Sequence, residues 1–311
     1  MRPPPPIQDW IKYPVTSGVA TLALLVTIAK LGGIDVSFLY MSRGLGPIQI
    51  WGLLTSVFPH GDLIHLVFNL YWLWVFGTLV EAVYGPSRTS AMLLLFAVGS
   101  SAAQFAIHEG GIGLSGVGYG LFALLWVLSR NDERFRGAVD SQTIGLFVVW
   151  FFLCIYLTYT GTWLIGNVAH AMGAILGALL GFCITAQGSK RQLAKVALGL
   201  VLAADVLLAC FGRSYINLTP RRWEEYAFLG YQQLVEHDYE RAVENFHQAL
   251  KLGPIIERQC TIRRIDNGKG RRRRENRSLT RYRPWGGAIA TKAQVRSGSP
   301  RVEDAASLGL A

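Results

Sequence analysis

Polar and apolar positions along the chain fall into two regimes that change near residue 212. Before it, apolar runs of spanning length, about 17–25 residues for a transmembrane helix, recur with most charges in the intervals between them and only Lys30, Glu81, Lys195 and Asp205 inside. They lie near 15–31, 63–82, 90–107, 115–129, 143–160, 164–186 and 195–212. Runs that are apolar all round predict helices enclosed by protein or lipid, not surface helices with one wet face. The expected fold class is therefore all-α, a polytopic membrane helical bundle with six core spans and a seventh at 195–212. Asp205, in the middle of that seventh run, must face protein to be tolerated. The first run follows the proline-rich stretch "MRPPPPIQDWIKYP", and no small-x-small cleavage site comes after it. An uncleaved span is expected there instead of a signal peptide.

Beyond residue 212 the pattern becomes that of water-facing structure. The stretch "WEEYAFLGYQQLVEHDYERAVENFHQALKLGPII", residues 223–256, has the spacing of one 34-residue tetratricopeptide repeat. Leu229 and Gly230 fall on a first helix, Tyr239 and Ala242 follow, and Phe246, Ala249 and Pro254 close a helix–turn–helix. About three such repeats are usually needed for a continuous core, and here the pattern stops after Pro254. Residues 257–311 show neither helical period nor the repeat's spacing. They are expected to be disordered, either as a basic arm or as the product of a coding-frame shift near residue 255; specific nucleic-acid binding is not expected. The organisation expected is thus an N-terminal cytoplasmic tail (1–14), a membrane domain (15–190), a seventh helix (195–212), the single repeat (223–256) and the basic tail.

Composition agrees with a membrane protein. Only 16% of residues are charged, against about 25% in soluble domains. The net charge of +10 is nearly all in the tail, where residues 257–311 hold 14 basic and 5 acidic residues. Lys and Arg in the short connections set orientation. A cytoplasmic N-terminus puts Arg2, Lys12, Arg88, Arg130, Arg134, Arg136, Lys190, Arg191 and Lys195 on the cytoplasmic side and leaves only Arg43 clearly outside. Cys154, Cys183, Cys210 and Cys260 have no metal-ligand or CxxC spacing and are expected to be free thiols.

Three stretches carry candidate chemistry. In "GIGLSGVGYG", residues 111–120, Ser115 and Tyr119 share one face of the following helix and Gly116 and Gly120 another. A small-xxx-small stripe lets helix backbones nearly touch in a membrane. Alone it reads as a packing stripe, and Val117 departs from the G-x-S-x-G elbow of soluble hydrolases. In "GNVAHAMGAILGALLG", residues 166–181, His170 lies among Gly166, Gly173, Gly177 and Gly181 at spacings of three and four. A histidine in one glycine groove can meet a serine from another. Counting from Trp163, it lies about 10 Å along the helix, in the same outer leaflet as Ser115. A desolvated neutral imidazole can accept a serine proton. In "HLVFNLYW", residues 65–72, His65 and Asn69 lie four apart. They could donate to an oxyanion beside the Ser115 N–H.

Together these stretches resemble the rhomboid family of intramembrane serine proteases. Its marks are H-x-x-x-N on the second span, G-x-S-G opening the fourth and A-H-x-x-G in the sixth. They stand here as His65/Asn69, Gly113/Ser115/Gly116 and Ala169/His170/Gly173. The resemblance covers residues 15–186. It implies Ser115 as nucleophile and His170 as general base in a dyad, with Tyr119 stacked on His170 and His65 and Asn69 completing the oxyanion hole. His60 matches a histidine frequent in the family and reads as structural support. One departure is Gly52 in "WGLLTSVFPH", where the family often carries arginine after the tryptophan, which puts the stability of that loop in question.

The function implied is an intramembrane serine endopeptidase that cleaves transmembrane segments of other proteins, in a bacterial inner membrane, with no cofactor or metal. The repeat at 223–256 would offer a protein partner a surface. A catalytically dead helix-binding relative is the alternative, although such relatives typically lack the serine or histidine present here. A transporter would call for an inverted repeat or an acidic cluster, and a zinc protease for a set such as H-E-x-x-H. Neither occurs.

Overall fold

The computed structural model describes residues 1–41, 50–108, 110–216, 218, 222–235 and 237–252. Arg43, Pro254, Cys260 and the tail at 257–311 lie outside them. Among the described residues the secondary structure is helical throughout, with no strand. Five helices are long and apolar enough to cross a membrane. They are α1 (Pro14–Leu31), α3 (Leu63–Ile107), α5 (Ser141–Tyr159), α6 (Asn167–Thr185) and a segment from Gly188 to Gly212, which comprises α7 (Gly188–Leu207) and a π-helical turn, Leu208–Gly212. The remaining α-helices are the short α2 (Gly52–Thr55), α4 (Ser115–Asn131), α8 (Arg213–Ile216), α9 (Arg222–Val235) and α10 (Tyr239–Leu252), and 3-10 turns lie at Ile7–Lys12, Ser37–Leu39 and Glu133–Phe135.

The longest of these is two passes, not one. A straight helix of this length would measure about 68 Å at 1.5 Å per residue, yet His65 near its start lies against Gly113 just past its end. The chain doubles back at Gly85, which is non-helical with φ +76°, ahead of Pro86. Glycine adopts that left-handed conformation freely, and proline at the next position suits the first turn of the returning helix. The sequence placed a break between 82 and 90; the structure narrows it to one residue.

The starts of α3 and α5 are set by side-chain caps. The Asp62 carboxylate accepts from His65 N at 2.8 Å, and Asp140 accepts from Thr143 N at 2.8 Å. At α1 the cap comes from elsewhere in the chain. Glu81, buried within α3, accepts from Val15 N at 2.9 Å, Thr16 N at 2.8 Å and Thr16 Oγ1 at 2.7 Å. These are first-turn donors with no acceptor inside their own helix.

The core is centred on α4. At 17 residues it is shorter than the other passes, and its Leu121, Leu124, Leu125 and Leu128 are wholly enclosed. It is wrapped by both arms of α3, by α6 and by the Phe147 face of α5. In contrast, α5 buries only Thr143, Phe147 and Cys154, and Ile144 and Phe151 are half-buried against the core, while Val149, Phe152 and Tyr156 are among its many exposed apolar side chains. An apolar exterior of this kind is the lipid-facing surface of a multi-pass integral membrane protein.

Two expectations are corrected. The seventh helix begins at Gly188, not at 195, so Lys190, Arg191 and Lys195 lie in its first turns. Arg191 Nε donates to the Cys183 carbonyl at 3.0 Å, and long basic stems can snorkel from a helix end. The sixth helix begins at Asn167, because Gly161 at φ +71° turns the chain and residues 163–166 are not helical. His170 is therefore in the first turn, about 5 Å from the helix start, and not two turns deep. Other expectations agree with the structure. Cys154, Cys183 and Cys210 are free thiols, and Asp205 faces protein, only 5% exposed. The stretch 222–252 forms a helical hairpin in which Gly230 packs against Phe246.

Candidate active site

The turn that leads into α4 is built for close approach. Gly113 has φ +105°, and a Cβ there would stand 2.8 Å from His65 Cε1 and 3.2 Å from His60 Cδ2. Leu114 is the N-cap residue, and Ser115 is the first residue of the helix. The hydroxyl of Ser115 therefore projects from the positive end of a helix dipole.

His170 reaches it from α6. Its Nε2 lies 2.8 Å from Ser115 Oγ, and the histidine is 3% exposed. This proximity depends on glycines. A Cβ on Gly173 would collide with the carbonyl oxygen of Gly116, and one on Gly177 with that of Gly120. On the opposite flank of α4, Gly116 packs against Ser100 and Gly120 against the Phe96 ring. The glycines thus form two stripes: Gly173 and Gly177 bring α6 onto the α4 backbone and set the distance between the helices that carry serine and histidine, while Gly116 and Gly120 admit the second arm of α3.

Tyr119, one turn below Ser115, stacks on the His170 ring with centroids 4.6 Å apart and planes at 24°. Its hydroxyl donates to the Phe147 carbonyl of α5 at 3.1 Å. His170 Nδ1 is buried without a partner among the described residues, so no carboxylate there orients the ring. The stack takes that place.

His65 and Asn69 stand on the first two turns of α3, whose start is pinned by Asp62. The His65 ring borders Gly113 and meets His60 edge-on at 4.9 Å. Asn69 is buried, and its Nδ2 has no acceptor among the described residues. That is an unspent donor in a low-dielectric setting, which is costly unless something else uses it.

Two contributors were not singled out from sequence. Gln104 accepts from Ala169 N at 3.2 Å through Oε1 and so supports the first turn of α6. A lone amide inside an apolar run was the available clue. Phe147 meets Tyr119 with its ring edge-on at 5.3 Å and accepts its hydroxyl through the backbone carbonyl, and no sequence pattern marks that carbonyl. His60, read as support, is wholly buried and bonded on both ring nitrogens. Burial pushes it down to about 3, and the neighbouring His65 acts in the same direction. Gly52 is explained by the same loop: a Cβ there would stand 2.8 Å from the Tyr40 carbonyl oxygen, so no arginine fits. The loop is held instead by Trp51 Nε1 donating to Phe38 O at 2.9 Å and Thr55 Oγ1 donating to Leu39 O at 2.8 Å.

Comparison with known proteins points to a family. Residues 47–187 match the Rhomboid domain family. The chain carries a rhomboid-family domain. It is 31% identical over 185 residues to the rhomboid protease GlpG of Serratia proteamaculans (strain 568), covering 58% of this chain and 66% of that one. Against the rhomboid protease GlpG of Yersinia pestis (strain Pestoides F) it is 31% identical over 144 residues, 46% of this chain and 51% of the relative. The chain spans between half and two thirds of the length of these relatives, and the rhomboid match ends before α7.

Proposed function

We propose that this chain is an intramembrane serine endopeptidase in which Ser115 is the nucleophile and His170 the general base. The observation that carries this reading is the 2.8 Å approach of His170 Nε2 to Ser115 Oγ inside the helical bundle. A neutral imidazole whose Nε2 accepts the hydroxyl proton makes the oxygen a competent nucleophile. As Oγ attacks the substrate carbonyl, negative charge develops on the carbonyl oxygen. The Ser115 N–H at the helix start, the Asn69 amide and the His65 ring are the donors assigned to that charge. His170 then returns the proton to the leaving amine. Water admitted to the serine end hydrolyses the acyl-enzyme by the same relay.

The substrates assigned are transmembrane segments of other proteins, locally unwound so that a carbonyl can reach Ser115. The rhomboid protease names of the relatives support proteolysis, and the lipid-facing bundle supports a membrane-embedded substrate. The proposed membrane is a bacterial inner membrane with a cytoplasmic N-terminus, following the distribution of Lys and Arg. The hairpin α9–α10 is assigned as a tetratricopeptide-like surface for a protein partner. The dead helix-binding alternative is not favoured, because nucleophile and base are both present and adjacent.

The deciding experiment co-expresses the chain with a reporter membrane helix and compares it with Ser115→Ala and His170→Ala. Cleavage by wild type and by neither variant is expected, with labelling of Ser115 by a fluorophosphonate. Cleavage that survives Ser115→Ala would remove the serine mechanism. No cleavage by folded wild type would leave a helix-binding role.

A further inference from the structure

The two amides that precede Ser115 are both taken up by the connection between α1 and α3. Gly113 N–H donates to Ser56 O at 3.1 Å, and Leu114 N–H donates to His60 Nε2 at 3.3 Å. An N–H directed at Nε2 requires that nitrogen to be bare. The ring hydrogen therefore sits on Nδ1, which faces the Phe58 carbonyl at 2.9 Å with Thr27 Oγ1 at 3.2 Å. The backbone carbonyl of His60 accepts from Lys30 Nζ at 2.7 Å. One wholly buried side chain thus joins α1, the connection after it and the entry to α4.

We propose that His60 is a positioning residue for the oxyanion site: by accepting the Leu114 N–H it fixes the turn 113–115 so that the N–H of Ser115 is the first unspent donor of α4. This rests on the proteolytic reading above. First-turn amides of a helix have no acceptor within it. With Gly113 and Leu114 committed, the next amide in order is that of the nucleophile itself. Gly113, at φ +105°, offers little resistance to rotation of the peptide that follows it. Without the Nε2 acceptor, nothing else described here holds the Leu114 amide. A catalytic donor displaced by about 1 Å can cost on the order of 100-fold in rate. The role needs an acceptor at the far end of the side chain, and bulk alone does not supply it.

The test compares three variants of the full chain in detergent. In His60→Gln the amide oxygen can reach the position of Nε2. In His60→Asn the amide nitrogen can replace Nδ1 toward Phe58, but nothing reaches Leu114. Thr27→Val removes a contact from α1 and leaves both arms of His60 in place. Measured are kcat and KM on a reporter helix, the thermal midpoint, and hydrogen exchange of the Leu114 amide. His60→Asn is expected to lose about 10- to 100-fold in kcat at unchanged KM, with faster exchange at Leu114. His60→Gln should retain most of its kcat, and Thr27→Val should melt lower while cleaving normally. Equal kcat losses in Asn and Gln, losses that follow the folded fraction, or unchanged Leu114 exchange in Asn would overturn the proposal. Failure of wild type to cleave would sink the proteolytic reading separately, while the exchange comparison would still decide whether His60 holds the turn.

Discussion

The carbonyl oxygen of Gly116 stands where a side chain on Gly173 would begin. The separation of α4 and α6, and with it the distance from Ser115 to His170, is therefore set by the absence of an atom. Gly173→Ala forces two backbones apart, because a carbonyl cannot move aside as a flexible side chain can. Overpacking typically costs about 1–3 kcal/mol, and a backbone collision belongs at the upper end. A lower thermal midpoint is expected together with loss of serine labelling. Full labelling at wild-type stability would show that the helices can separate without breaking the pair.

Tyr119 has two separable roles. Tyr119→Phe keeps the ring on His170 and loses the bond to the Phe147 carbonyl, a net loss of about 1 kcal/mol; only a few-fold drop in kcat/KM is expected. Tyr119→Ala removes the stack as well and leaves His170 Nδ1 with neither an acid nor a ring to orient it. Its kcat should fall much further than that of the Phe variant. Comparable kcat for the two would mean that the ring does not orient His170.

The pH dependence of stability has a defined sign at His60. The unfolded histidine titrates near 6.5 and the folded one near 3. Between those values the unfolded chain holds the extra proton, so stability is complete above 6.5 and falls as the pH drops toward 3. The slope from one such group approaches about 1.4 kcal/mol per pH unit. Denaturation midpoints measured from pH 7 to pH 4 should fall in wild type, and the fall should be shallower in His60→Gln. Identical slopes would assign the acid sensitivity to other groups.

Gly52 stands where relatives often carry arginine, and the structure predicts that the family residue would harm this chain. Gly52→Ala places a methyl 2.8 Å from the Tyr40 carbonyl, and a cost of about 1–3 kcal/mol is expected. Gly52→Arg should be at least as damaging. An arginine variant that melts above wild type would refute the account of a backbone-held loop.

Glu81 is the buried cap of α1. Glu81→Ala leaves three donors from Val15 and Thr16 without acceptors. Hydrogen bonds to a charged group are worth about 1.5–3 kcal/mol each at most, so a clear drop in thermal midpoint is expected. In the surviving folded fraction, the rate of labelling at Ser115 should be unchanged, since Glu81 lies at the opposite end of its span.

Much of this was legible from sequence because it depends on local periodicity. Apolar runs of spanning length specify passes through lipid, and glycines at spacings of three and four mark the faces on which helices can touch. Ser115 and His170 became candidates on that rule, since a residue's face on a helix is a property of its position in the chain, whereas the stacking of Tyr119 on His170 was implied only by the family resemblance. Helix starts were less legible. Where α6 begins depends on the turn at Gly161, and where α7 begins depends on how far basic side chains can reach, so both boundaries were misplaced. What only the tertiary structure decided are the contacts between segments distant in the chain: His60 on the Leu114 amide, Gln104 on the start of α6, the Phe147 carbonyl on Tyr119, and Glu81 on α1. Each satisfies a backbone or side-chain polar group that water cannot reach, and such a group takes whatever partner the packing brings to it. No spacing along one segment encodes that partner, because the demand arises only when the segments are brought together.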